Sequence, residues 1–279
     1  MGVAMLTKLS YLDRIKLLMM AMMTLGHLAW AFVPESSSLS QWLHFVARPT
    51  VVLACFLVVE GFRLTGNLDG YVKRLFGFGL LAQLPYIMMS FGVYAPFYQP
   101  SLLFIAGNVL LTLGCALLAI IQCDKMSKNN SLQQRCKSII IIAMLVLWVH
   151  YASWDWGYAA ILWAMGIYYK RILGFIAVTA VLVVLSIISD HEFLDAIFSG
   201  QMMDYGILLS LPIMYWCDKN RHQSPKNYRL PRTLFYWYYV IHALIIGLLV
   251  QFTPYAVDEY GDTLERDGQV KKVVPLFDL

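Results

Sequence analysis

The chain has 279 residues, of which 59% are hydrophobic and 14% charged, with a formal net charge of +4. An average soluble domain is roughly 45–50% apolar and about 25% charged, so these proportions exclude a soluble globule, together with collagen-like, disordered and disulfide-stapled chains. The apolar excess is more than a core of this size can hide, and lipid must be the solvent for much of it.

A spanning helix needs about 20 mostly apolar residues. That ruler predicts an all-α, polytopic membrane helix bundle of about nine transmembrane helices, over residues 15–33, 42–62, 74–94, 102–122, 138–153, 155–169, 171–189, 201–217 and 235–253. The fifth and sixth runs are short, which also allows a re-entrant pair. Residues 1–253 read as one membrane domain and 254–279 as a polar tail. With the N-terminus cytoplasmic and the C-terminus outside, 17 of the 21 basic residues fall on the inner side, as the preference of Lys and Arg for cytoplasmic loops demands. Net positive charge is therefore a matter of topology, and no basic stripe interleaved with aromatics points to nucleic acid. A cleaved signal peptide is disfavoured because the first run continues to Pro34 and contains His27.

An ionisable group at bilayer depth costs at least about 2.5–3.5 kcal/mol unless it is paired or hydrated, so function is sought among such groups. The first run carries His27, three turns beyond Lys16 on the same face. The second has Arg48 near its outer end, where an anion, a carbonyl or an acidic partner would explain it, and Glu60 with Arg63, spaced to pair along one face. The third opens with Lys73 and Arg74 and holds Gln83, Pro85 and Tyr86 near mid-depth; an intramembrane proline frees a carbonyl and shapes cavities. Asn108 and Thr112 form one polar stripe on the fourth, serving either helix packing or a site.

Asp155 and Tyr158 follow in an outer aromatic segment, where a membrane-interface belt explains the aromatics but not the carboxylate. His191 and Asp195 stand four apart in an outer loop, too few ligands for a metal site. Arg232 precedes the ninth run, which carries an aromatic girdle including Tyr239 and a second intramembrane histidine, His242. The five cysteines form no CxxC pair and read as packing residues, and Asn129-Asn130-Ser131 is a glycosylation sequon on the cytoplasmic side. No nucleotide-loop, metalloprotease or serine-elbow motif occurs, and no metal is expected.

Taken together, these stretches resemble the TraX family of integral membrane proteins, whose best-known members acetylate the N-terminus of conjugative pilin. The resemblance is carried by Lys16 with His27, by Arg48 through Glu60-Gly61-Phe62-Arg63, and by Arg74-Leu75-Phe76-Gly77 leading to Gln83-Leu84-Pro85-Tyr86. It continues in Asn108-Val109-Leu110-Leu111-Thr112, Asp155-Trp156-Gly157-Tyr158 and Tyr238-Tyr239-Val240-Ile241-His242. The chain departs from the family's usual Asp-His in the first helix, having Gly26-His27, and Pro49 follows Arg48 directly. Without that aspartate, Glu60 or Asp155 is the expected orienting partner of His27.

The resemblance implies an enzyme of the bacterial inner membrane that transfers acetyl from acetyl-CoA to the pilin N-terminal amine. His27 would be the general base, with Arg48, Asn108 or Tyr86 donating to the oxyanion. Arg63, Lys73, Arg74 and Arg232 would hold the donor's phosphates at the inner face, and His242 is a rival base or a ligand for the donor. Glu60, Gln83, Asp155, Tyr158 and Tyr239 would orient groups or bind substrate. Alternatives within reach of the sequence are O-acetylation of an envelope glycan, a small transporter or channel subunit, and an inactive structural partner in pilus assembly.

Overall fold

The computed structural model describes residues 9–33, 37–189, 202–221, 230–250, 252, 255–257 and 263–265. They build α1 (Tyr11–Phe32), α2 (Ser38–Ala47), α3 (Pro49–Leu64), α4 (Leu68–Phe91), the short α5 (Ala95–Tyr98) and α6 (Leu102–Ile105), and α7 (Val109–Lys128). There follow α8 (Leu132–Tyr151), α9 (Gly157–Ser189), a 3₁₀ segment (Met202–Leu209) leading into α10 (Ser210–Asn220), and α11 (Leu234–Val250). In the tail, β1 (Tyr255–Val257) and β2 (Thr263–Glu265) pair antiparallel, with Tyr255 opposite Glu265.

Helix starts are written locally. Ser10, Ser37, Asn67, Asn108 and Ser131 each turn a side-chain oxygen onto a backbone N–H of the first turn, satisfying a donor that the helix leaves without a partner. Ser131 and Asn129, two residues of the sequon, are thus helix-capping groups. Pro49 occupies the first turn of α3, where its missing N–H costs nothing. Arg48 keeps helical dihedrals, so α2 and α3 form one spanning unit, Ser38–Leu64.

Among the described residues five stretches are long and apolar enough to cross a membrane: Tyr11–Phe32, Ser38–Leu64, Leu102–Lys128, Leu132–Tyr151 and Gly157–Ile188. The last is a hairpin, because Lys170 (φ −135°) and Arg171 (φ 49°) leave helical geometry and the arms 157–169 and 172–189 fold back on each other. Trp163 Nε1 donates to Thr179 Oγ1 at 3.1 Å across them. The arms touch backbone to backbone at Gly166 and Gly174, where a Cβ on Gly174 would fall 1.8 Å from the Gly166 carbonyl oxygen. The expected sixth and seventh runs are these two arms. Together with α4, the 3₁₀–α10 unit and α11, each expected run has a helical counterpart.

Two boundaries differ from expectation. The third helix starts at Leu68, capped by Asn67, so Lys73 and Arg74 lie in its second turn and do not open it. The fourth run unwinds over residues 106–108 before α7 begins.

The core sits on α3 and α7: Val51–Phe56, Val58 and Val59 are buried, as are Leu110–Leu117 on the facing helix. Around them α11 packs between α1 and α4. The rim is the reverse, since α8 buries only Ser138 and Val149 and exposes Ile139, Ile140, Met144, Leu147 and Trp148. Contiguous apolar surface on that scale fits lipid, not water.

Candidate functional site

Packing of α11 on α1 brings two histidines into contact. His27 Nδ1 and His242 Nε2 are 2.7 Å apart, and His242 Nδ1 lies 2.8 Å from the carbonyl oxygen of Tyr238, one helical turn back. The ring planes agree within 3° with centroids 4.9 Å apart. Centroid separation exceeds nitrogen separation by almost two ring radii, so the rings meet edge to edge in nearly one plane, the geometry of an N–H···N bond. Tyr238 stacks on His242 and Tyr239 meets it edge-on, with centroids 5.0 and 5.6 Å away. The Tyr238 hydroxyl bonds Thr24 and the Met20 carbonyl, locking α11 against α1. His44 of α2 is close enough to interact electrostatically with His27, because Gly26 lets α2 approach: a Cβ there would lie 2.7 Å from that of Ala47.

Outward from the histidines runs a polar network. The Tyr239 hydroxyl accepts the backbone N–H of Val109, at the start of α7, and interacts electrostatically with Tyr86 and Asp155. Asn108 gives one side-chain amide N–H to the Gly79 carbonyl and the other to Gln83 Oε1, each at 2.7 Å, while its oxygen caps Leu110. Gln83 Nε2 in turn donates to the Ala106 carbonyl at 2.5 Å. Both donors of Asn108 are therefore committed to holding the unwound segment against α4. Binding an oxyanion there would leave buried Gly79 or Gln83 groups unpartnered.

Asp155 stands in the turn between α8 and α9, where Ser153 (φ 47°) and Trp156 (φ 60°) adopt left-handed backbone. Strain of that kind persists only when the surroundings over-determine it. Here Asp155 N–H donates to the Gly107 carbonyl at 2.8 Å, its own carbonyl accepts from Thr112 at 2.9 Å, and Gly107 makes room for the Trp154 ring. Burial pushes the Asp155 carboxyl up to about 7, against the opposing pull of Arg48 and the Trp156 N–H. Arg48 pairs with Asp204 at 3.2 Å and lies over the Trp156 ring, its centroid 5.3 Å away. Of the anion, carbonyl or acidic partner that its outer position called for, the structure pairs Arg48 with an acid, Asp204. Tyr158 packs beside His150.

A second cluster lies at the inner end. Glu60 is fully buried and accepts from Tyr11 at 2.9 Å, Arg171 at 2.9 Å and Arg63 at 3.3 Å, with Arg221 at 3.9 Å. Arg171 also pairs with Asp218. Glu60 and Arg63 do pair as their spacing predicted, and the buried carboxylate gathers three partly exposed arginines, from α3, α9 and the end of α10, together with Tyr11 of α1. Tyr11 and His27 are sixteen residues apart on α1, about 24 Å of helix. Glu60 is thus too distant to orient His27, and Asp155 makes no contact with it; the described side chain hydrogen-bonded to His27 is His242. Lys16 pairs with Asp13 at 3.0 Å.

Arg74 bridges the two levels. Its guanidinium lies over Tyr71, 5.7 Å from the ring centroid, and bonds the Tyr236 hydroxyl. Tyr236 is six residues, about 9 Å, from His242 along α11. Lys73 and Arg232 are exposed nearer the inner end, whereas Arg63 is held by Glu60 and the Tyr168 carbonyl. A cavity of about 370 Å³ between α1 and α10, lined by Arg14, Ile15, Leu18, Pro212, Ile213 and Trp216, is apolar and does not reach the histidines.

Of the expected residues, the structure brings together His27, His242, Tyr239, Tyr86, Asn108, Gln83, Asp155 and Arg48 in the outer half, and Glu60 with Arg63 at the inner end. His242 sits against His27 and apart from the basic groups expected to share donor binding with it. Asp204, Arg171, Asp218, Tyr11 and His44 were missed; an isolated acid at the outer end of an apolar run was the available signal for Asp204. His191 and Asp195 lie outside the described residues. Among the described residues no three His, Cys, Asp or Glu side chains converge in a way that would hold a metal ion.

A family model described as "TraX protein" matches residues 11–250. A protein of Dichelobacter nodosus described as "Probable fimbrial assembly protein FimC, serogroup H1" is 29% identical over 241 residues, spanning 84% of this chain and 93% of its own. No solved structure matches.

Proposed function

The chain belongs to the TraX family, and we propose that it is an inner-membrane acetyltransferase moving an acetyl group from acetyl-CoA to the N-terminal amine of a pilin. The observation that carries this reading is the edge-to-edge pair His27–His242 at bilayer depth, with Arg74 one and a half turns nearer the inner face. The fimbrial-assembly name of the Dichelobacter relative supports a pilus component as acceptor.

In this reading the donor enters from the cytoplasm. Its phosphates meet the exposed Lys73 and Arg232 and its arm passes Arg74, whose planar fork suits phosphate or carbonyl oxygen. The amine nitrogen attacks the thioester carbonyl while His27 takes its proton. The N–C bond forms, the C–S bond breaks, and the proton passes to the departing thiolate. An α-amine (reference value about 7.7–8.0) and an imidazole (about 6.5) are matched closely enough that no stronger base is needed. Arg48 and Tyr86 are the candidate donors to the oxyanion.

The purified protein, supplied with acetyl-CoA and a peptide of the pilin N-terminus, is expected to acetylate the peptide. His27→Ala should lower kcat by about 10²–10⁴-fold, the usual worth of a general base, and Arg74→Ala should raise KM for acetyl-CoA. Undiminished transfer by the His27 variant would remove the assigned base, and an unchanged KM would move the donor site elsewhere.

A further inference from the structure

The hydrogen-bond directions within the histidine pair follow from one acceptor. The Tyr238 carbonyl oxygen can only accept, so His242 Nδ1, 2.8 Å away, must carry a proton and donate it. With both rings neutral, as the cost of charge at bilayer depth favours, His242 Nε2 is left with a bare lone pair. His27 Nδ1, 2.7 Å from that lone pair, must then be the donor. One proton remains to each ring, so His27 Nε2, on the far side from His242, is unprotonated. The chain runs His27 Nδ1–H to His242 Nε2, and His242 Nδ1–H to the carbonyl.

We propose that His242 is a positioning residue that locks His27 in the Nδ1–H tautomer and aims its Nε2 lone pair at the nucleophile. An aspartate or a carbonyl usually holds a catalytic imidazole by its second nitrogen; Gly26 cannot do so here, and a second histidine does. The arrangement adds a route for charge. When His27 Nε2 gains a proton, the Nδ1 proton can move across the bond to His242 Nε2, so the positive charge is shared by two rings, the second of which keeps its Nδ1–H on Tyr238. Proton count is conserved: one enters at His27 Nε2, and the same number leaves to the thiolate when the pair resets. The proposal rests on the acetyl-transfer reading for its catalytic part alone; the tautomer follows from the geometry.

Two variants test it. His242→Phe preserves an aromatic ring beside Tyr238 but offers no lone pair, whereas His242→Gln offers a side-chain oxygen to the His27 Nδ1–H. Nitrogen-15 NMR of histidine-labelled protein in detergent should show His27 protonated at Nδ1 and bare at Nε2 in the wild type and in His242→Gln. In His242→Phe that signature should be lost. With acetyl-CoA and pilin peptide, His242→Phe should lose about 10²-fold or more in kcat with KM for the donor little changed, and His242→Gln should recover most of the loss. A wild-type His27 protonated at Nε2 would overturn the proposal, as would full kcat in His242→Phe. Should the wild type transfer no acetyl group while the NMR signature holds, the function fails and the tautomer assignment stands.

Discussion

Gly26 precedes His27 on α1, and packing explains its size: a Cβ at this position would meet the Ala47 Cβ at 2.7 Å. Gly26→Ala is expected to cost about 1–3 kcal/mol by overpacking, read as a lower Tm in detergent, and Ala47→Gly in the same chain should restore most of it. Equal losses in the single and double variants would contradict the contact. Asp155 predicts a pH effect of definite sign. Its carboxyl is pushed from 3.8 to about 7 in the folded chain, so between those values the folded state holds more protons than the unfolded state. Stability should therefore fall as pH rises through that interval and level off above it. Asp155→Asn should flatten the slope; an unaltered slope would mean that the carboxyl is not buried as described. Individual site residues were legible in the sequence because charge and imidazole at bilayer depth are costly and stand out. Their partners were not. His27 and His242 are 215 positions apart, and whether two faces meet depends on helix rotation, which hydropathy does not encode.

Among elements, the inner ends of α1, α3, α9 and α10 converge on Glu60. Glu60→Gln would leave Arg63, Arg171 and Arg221 without their shared carboxylate. Because those arginines are partly exposed, the expected cost is about 1–3 kcal/mol, less than for a fully buried pair. A Tm equal to wild type would contradict the hub. The same carboxylate also secures Arg171, whose left-handed backbone at φ 49° turns the α9 hairpin. Span positions were legible because apolar runs of about 20 residues are the strongest signal that a membrane protein carries, and the Lys170–Arg171 break showed as two basic residues between runs. The unwound segment before α7 was not, since Ala106-Gly107-Asn108 sits within an apolar stretch and its need for Gln83 and Asn108 is tertiary.

For the whole molecule, scarcity of charge proved more informative than abundance of apolar residues. Basic side chains gather at the ends read as cytoplasmic, and the two clusters built on Glu60 and on the histidine pair lie about 24 Å apart along α1. The inner cluster, in which Glu60 and Asp218 face Arg63, Arg171 and Arg221, ties helices together. The outer one holds the histidine pair, and Arg74 lies between the two levels. We propose that one end serves stability and the other the chemistry of acetylating a pilin N-terminus. Its most direct test is the intact mass of mature pilin from cells carrying the wild-type gene, a deletion, or a well-folded His27→Ala variant. The account predicts pilin heavier by one acetyl group at its N-terminus in the wild type alone, and acetylated pilin in the deletion or the variant would contradict it.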